Sequence, residues 1–122
     1  MRGWVDCSKV YVEASKGGAG VFAACNIQKG EVVEFGIVRR LPASFDGNDS
    51  QYVLTWSEDR TVWAVGSGCS TYYNHAQDSN TEIHRNLTQD SFEIRALRDI
   101  AQDEELTQTY QSIQWRRCFA DL

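Results

Sequence analysis

Apolar and polar residues alternate along the chain in short runs, and turn-forming residues break the runs every few positions. KVYVEAS (residues 9–15) puts Val10 and Val12 on one face and Tyr11 on the other, the period-two pattern of a strand. KGGAG (16–20) interrupts it, VFAACNI resumes an extended pattern, and Gln28 to Gly30 turns again. EVVEFGIVRR (31–40) predicts a longer strand, and LPASFDGNDS (41–50) reads as loop. QYVLTW and RTVWAV flank Ser57 to Asp59 as one hairpin, and TEIHR and SFEIRAL flank Asn86 to Asp90 as another. LTQTY is a last short strand, and SIQWRRCFADL predicts a short terminal helix with Ser112 as its N-cap. No segment keeps a long helical period and none repeats, so the expectation is a mainly β single domain with short helices.

Composition narrows this picture. The chain has 122 residues, 42% of them hydrophobic and 24% charged, with a single proline, which is the balance of one folded domain. No run approaches the length of a membrane span. The opening MRGWVDCSKV lacks a long apolar region, so no signal peptide is expected. The net charge of -5 disfavours generic nucleic-acid binding and suits a basic partner, although mild acidity also serves solubility. Cys7, Cys25, Cys69 and Cys118 show no C-x-x-C or metal-ligand spacing, so reduced and mostly buried thiols are expected.

Three stretches could carry chemistry, and each alone has a plain structural reading. Gly18-Ala-Gly20-Val-Phe-Ala23 matches the glycine fingerprint of dinucleotide sites, but that fingerprint needs a following helix. Here β-branched and aromatic residues follow, leaving a Gly-rich turn or a loop whose amides approach a ligand. Asn74-His75 lies in YYNHAQDSN. Zinc would need more ligands than the second histidine, His84, can supply. A polar turn with satisfied side chains fits as well as a ligand cradle. In EELTQTY (104–110), a tyrosine after a strand is ordinarily a core aromatic with a bonded hydroxyl.

Taken in order, Gly18-Ala19-Gly20, Asn74-His75 and Glu105-Leu106 to Tyr110 resemble the SET domain, the fold of most protein-lysine methyltransferases. IQKGEVV and RALRDIAQDEELT look similar to SET segments too. The resemblance covers about residues 9–117 and looks closest to the minimal SET proteins of large algal viruses, which lack pre-SET and post-SET zinc modules. It implies a β-clip fold of several small twisted sheets with a C-terminal pseudoknot. It also implies a single SET domain over 1–122 and an enzyme that moves a methyl group from S-adenosylmethionine to a lysine ε-amine, leaving S-adenosylhomocysteine.

By motif position, Gly18, Ala19, Gly20, Asn74 and His75 would hold the cofactor, and Trp115 would cover its adenine. Tyr110 would be the active-site tyrosine, with Tyr52, Tyr72 and Tyr73 as walls of a substrate channel, and no metal is implied. The implied partner is a basic, lysine-bearing tail such as a histone's, met inside the cell and, for histones, in the nucleus. The alternative is a non-catalytic SET module that binds a basic peptide or protein. The viral relatives further imply a homodimer. Four positions depart from the family pattern: Ala19 stands where a tyrosine is common and Ala76 where Ser is preferred. Asp103 replaces a usual Gly, and Gln111 replaces a small or acidic residue.

Overall fold

A computed structural model describes residues 4–50 and 52–110. Among them, nine strands make two sheets: β1 (Val10–Ser15), β2 (Gly18–Ala23), β3 (Val32–Arg40), β4 (Leu54–Thr55), β5 (Trp63–Gly66), β6 (Asn74–His75), β7 (Thr81–Asn86), β8 (Ser91–Ala96) and β9 (Glu105–Gln108). Single 3₁₀ turns at Gly47–Asp49 and Ser70–Tyr72 are the helical elements among the described residues. The terminal helix expected after Ser112 lies outside them, as does Trp115.

The larger sheet runs β4-β5-β3-β8-β7, antiparallel throughout. Both expected hairpins are present, β4 with β5 and β7 with β8. In β8 alternate residues Phe92, Ile94 and Ala96 are buried, as the period-two pattern requires. β3 departs from that rule. Its register against β8 slips between Val32 and Glu34, so Val33 is an extra residue. That bulge puts two consecutive side chains, Val33 and Glu34, into the interior.

The smaller sheet runs β1-β2-β9-β6. β1 and β2 form a hairpin closed by Lys16 and Gly17, both with positive φ. Two left-handed residues give the primed turn that matches strand twist, and Gly17 takes it without a Cβ penalty. The turn therefore sits one residue before the Gly-x-Gly stretch, and Gly18 to Gly20 are strand rather than turn. β9 pairs antiparallel with β2 and parallel with β6, so the last described strand lies between an early one and a late one.

Both sheets share one core, including Val21, Ala23, Ile27, Trp56, Tyr73, Phe92, Ile94, Ile100 and Leu106. The isolated bridge between Ile27 and Ile100 joins its two ends. The cysteine expectation needs correction: Cys25 is exposed, and Cys7 and Cys69 are half-buried free thiols. Cys25 follows the end of β2 on the surface, where the inward alternation no longer applies. Cys118 lies outside the described residues.

Candidate functional site

The crossing of β9 and β6 gathers the three short motifs. The Asn74 amide donates to the Ala19 carbonyl at 3.1 Å and to Glu105 Oε2 at 2.9 Å. Glu105 Oε1 accepts from the Ser15 hydroxyl at 3.0 Å. Strands β1, β2, β6 and β9 are thus tied by one half-buried carboxylate and one amide. Gly20 is needed for this closeness: a Cβ there would lie 2.6 Å from Glu105 Oε2 and 2.9 Å from Ser15 Cβ. Gly18 is different, since a Cβ on it would meet nothing within 4 Å.

His75 Nδ1 accepts from the Tyr110 backbone N–H at 3.1 Å. The His75 and Tyr110 rings stand 5.2 Å apart and inclined at 50°. With Nδ1 accepting, the ring proton belongs on Nε2. The Tyr110 hydroxyl donates to the carbonyl of Tyr73. Gln108, opposite His75 in the parallel pair, is buried, and its amide nitrogen has no hydrogen-bond partner among the described residues.

The loop holding Asn74 and His75 is closed by a second amide. Asn80 is buried; its Oδ1 accepts from the Thr107 N–H at 2.8 Å and its Nδ2 donates to the Glu105 carbonyl at 2.8 Å. Thr81 donates to the Thr107 carbonyl at 2.7 Å, and Thr109 to the Ala76 carbonyl at 2.9 Å. These bonds hold β9 along the loop on its far side. Asp103, where the family pattern has Gly, has φ 69°, the left-handed region glycine favours. Its carboxylate accepts from the Tyr11 hydroxyl at 2.8 Å, a contact glycine would lack.

The tyrosines assigned to a channel wall separate in space. Tyr52 is 59% exposed and Tyr72 43% exposed, on the loop before β4 and at the end of the second 3₁₀ turn. Tyr73 is 2% exposed, with its ring in the core and its hydroxyl donating to Glu34 Oε1 at 2.8 Å. It therefore meets Tyr110 through its carbonyl, not its ring. Burial, followed by the Glu34 charge, raises the Tyr73 pKa well above its ordinary value, so the phenol keeps its proton.

Sequence reasoning passed over Glu34, Asn80 and the partnership of Glu105. Asn80 had a signal in its place five residues after His75, inside a turn-rich stretch. Glu34 had none, because strict alternation puts it opposite Val33 and Phe35. Among the described residues no group of three or more His, Cys, Asp or Glu side chains could hold a metal ion.

The family model of the SET domain matches residues 18–111, and the chain belongs to the SET-domain family. Similar solved structures include a candidate histone methyltransferase of Plasmodium falciparum, with TM-score 0.68 and 26% identity, covering 84% of this chain and 92% of that one. Another is a Chaetomium thermophilum Polycomb Repressive Complex 2 in complex with trimethylated and lysine-to-methionine forms of histone H3. It has TM-score 0.70 and 26% identity, and the match covers 85% of this chain but 14% of that one. A second structure of that complex, in an autoinhibited conformation bound to S-adenosylmethionine, has TM-score 0.61 and 27% identity over 78% of this chain and 14% of that one. No curated protein matches the chain significantly in sequence. Mostly β, with small curled sheets, the chain has the SET-domain fold of these methyltransferase structures.

Proposed function

We propose that the chain is an S-adenosylmethionine-dependent protein-lysine methyltransferase acting on a basic protein tail, with histone tails the expected substrate. The observation that carries this reading is the β6–β9 crossing. It sets two groups of contacts side by side on adjacent residues of β6: Asn74 with Ala19 and Glu105, and His75 with Tyr110.

The residues present fit the cofactor. Gly18 leaves open space beside its backbone among the described residues, and the half-buried Glu105 carboxylate next to the glycine strand would suit a cationic ligand. Gly18, Ala19 and Gly20 would hold it through their backbone, with His75 and Trp115 beside it. Asn74 has its amide nitrogen engaged by Ala19 and Glu105, so its part is to fix the glycine strand against β9. When bound, the cofactor supplies a methyl group on a sulfonium, open to in-line attack by a neutral amine.

The chain's own residues then have two tasks. The first is to favour the uncharged amine, whose ordinary pKa is about 10.4. Apolar and aromatic walls disfavour the ammonium form. The second is orientation. Because the Tyr110 hydroxyl donates its hydrogen bond to the Tyr73 carbonyl, it would meet an amine N–H as an acceptor, the character needed to align it. Tyr52 and Tyr72 would serve as walls only with substrate present, given their exposure.

That same exposure favours the second reading, a non-catalytic SET module that binds a basic peptide. Incubation with tritiated cofactor, histones and a lysine-peptide array separates the two. Label on protein supports the enzyme; cofactor binding without transfer to any target supports the module. The proposal also includes a single SET domain of the minimal viral type, a homodimer, and a nuclear setting if histones are the substrate. No helix among the described residues is long and apolar enough to cross a membrane.

A further inference from the structure

The bulge in β3 has turned a carboxylate inward without a cationic partner among the described residues. Glu34 is 1% exposed. Its Oε1 accepts from the Tyr73 hydroxyl at 2.8 Å, and its Oε2 from the Cys69 backbone N–H at 2.9 Å. Both donors belong to the segment between β5 and β6, whereas Glu34 belongs to the larger sheet. Gly68 completes the fit: its φ is +61°, and a Cβ there would collide with Glu34 Oε2.

We propose that Glu34 is a positioning residue for the methyl-transfer site, holding Tyr73 so that its carbonyl meets the Tyr110 hydroxyl. This rests on the reading of Tyr110 as a group at the reacting amine. The path has two links, Glu34 to the Tyr73 phenol and the Tyr73 carbonyl to Tyr110. Asn74 is held separately by Ala19 and Glu105, so the cofactor side is not on this path.

A buried apolar residue would fill this place without the cost of burying a charge. Only an acceptor with two free oxygens satisfies both donors at once. Glutamine offers one oxygen and one NH₂, so one donor must turn round or lose its partner. Protonating Glu34 has the same effect, since one oxygen then carries a hydrogen. Burial raises the Glu34 pKa, and the bonds from Tyr73 and Cys69 hold back part of that rise. The groups facing it are Tyr73 and Cys69 from the loop and Cys7 beside Cys69, with Asp6 and Lys9 lining the adjoining cavity.

The test uses the full chain with tyrosine labelled at ¹³Cζ, the Tyr110 signal being assigned by its loss in Tyr110→Phe. In the wild type the Tyr110 signal should step as pH falls through the Glu34 transition, above the ordinary carboxylate range. In Glu34→Gln the step should vanish, kcat should fall about tenfold, and cofactor Kd should stay within about twofold. In a Tyr110→Phe background Glu34→Gln should cost nothing further in kcat, because the path ends there. Should Glu34→Gln fail to fold, Tyr73→Phe cuts the same link and must also remove the step.

A Tyr110 signal with no step in the wild type, or the same step in Glu34→Gln, overturns the proposal. Equal losses of kcat with and without the Tyr110 hydroxyl overturn it too, since they mark a general structural role. If the wild type shows the step but transfers no methyl group, the positioning link stands and the methyltransferase reading fails.

Discussion

Two carboxylates tie this molecule together at its centre, and they do so in opposite surroundings. Glu105 is half-buried on β9 and accepts from two side chains, Ser15 and Asn74. Glu34 is fully buried on β3 and accepts from a phenol and a backbone amide. The first joins four strands of the small sheet at the glycine motif. The second joins the large sheet to the loop that leads into β6. Near water, a carboxylate can gather neighbours at little cost; inside, it persists only when its oxygens are directed at donors, as both oxygens of Glu34 are. In the proposed function the outer tie belongs with ligand binding and the inner one with alignment.

The largest effect expected from breaking this arrangement is at the end of the inner tie, where Tyr73 meets Tyr110. Tyr110→Phe should lower methyl transfer by about 100-fold or more while circular dichroism and Tm stay near wild type. Undiminished tritium transfer would remove Tyr110 from the reacting centre. Next comes the outer tie. Asn74→Ala strips one donor from Glu105 and one from the Ala19 carbonyl, a loss of about 1–3 kcal/mol in stability. Cofactor affinity should weaken with it, read as a raised Kd by calorimetry; an unchanged Kd would count against the assignment.

The two glycines of the motif sharpen the comparison further. Gly20→Ala forces its Cβ against Glu105, Ser15 and Asn74, and should lower Tm by several degrees. Gly18→Ala meets no protein atom, so Tm should barely change while cofactor Kd rises. Equal Tm losses in both would mean the Gly18 side is closed.

The smallest effect is a pH slope. The folded-state pKa of Glu34 is raised above its unfolded value, so the native state holds its proton to higher pH. The stability this proton confers is fully present below the unfolded pKa and is lost as pH rises through the folded one. Glu34→Gln lacks the slope, so its stability relative to wild type should improve as pH rises through that window. Urea titrations at several pH values measure it, and a parallel pH dependence in both proteins would exclude Glu34 as its source.

Much of the fold was legible in period-two alternation and turn residues. β1, β3 and β8 lie within the stretches read as strands, β7 runs one residue past its stretch to Asn86, and both hairpins formed where polar turns divided apolar runs. The site's three motifs were legible only as an ordered set, since Asn74-His75 alone reads as a polar turn. The turn before β2 is tighter than the interruption read over 16–20, because Lys16 and Gly17 supply both positive φ values it needs. Glu34 was not legible at all. A bulge inserts one residue without altering composition, and it moves every later side chain to the other face. Tyr73 likewise looked like its neighbour Tyr72, yet one ring is core and the other is exposed. What distinguishes them is Glu34, which receives the Tyr73 hydroxyl inside the core.

The parallel pairing of β6 with β9 also constrains how the chain comes to exist. Ser15 meets Glu105 across a separation of 90 residues, and Asn74 meets it across 31. Closing such spans costs chain entropy before any contact returns it, which slows folding relative to a chain of local hairpins. During synthesis β1, β2 and the large sheet can form early, but the carboxylate that joins Ser15 to Asn74 leaves the ribosome after all of them. Until then the glycine strand has an open edge, because β9 is its neighbour in the finished sheet.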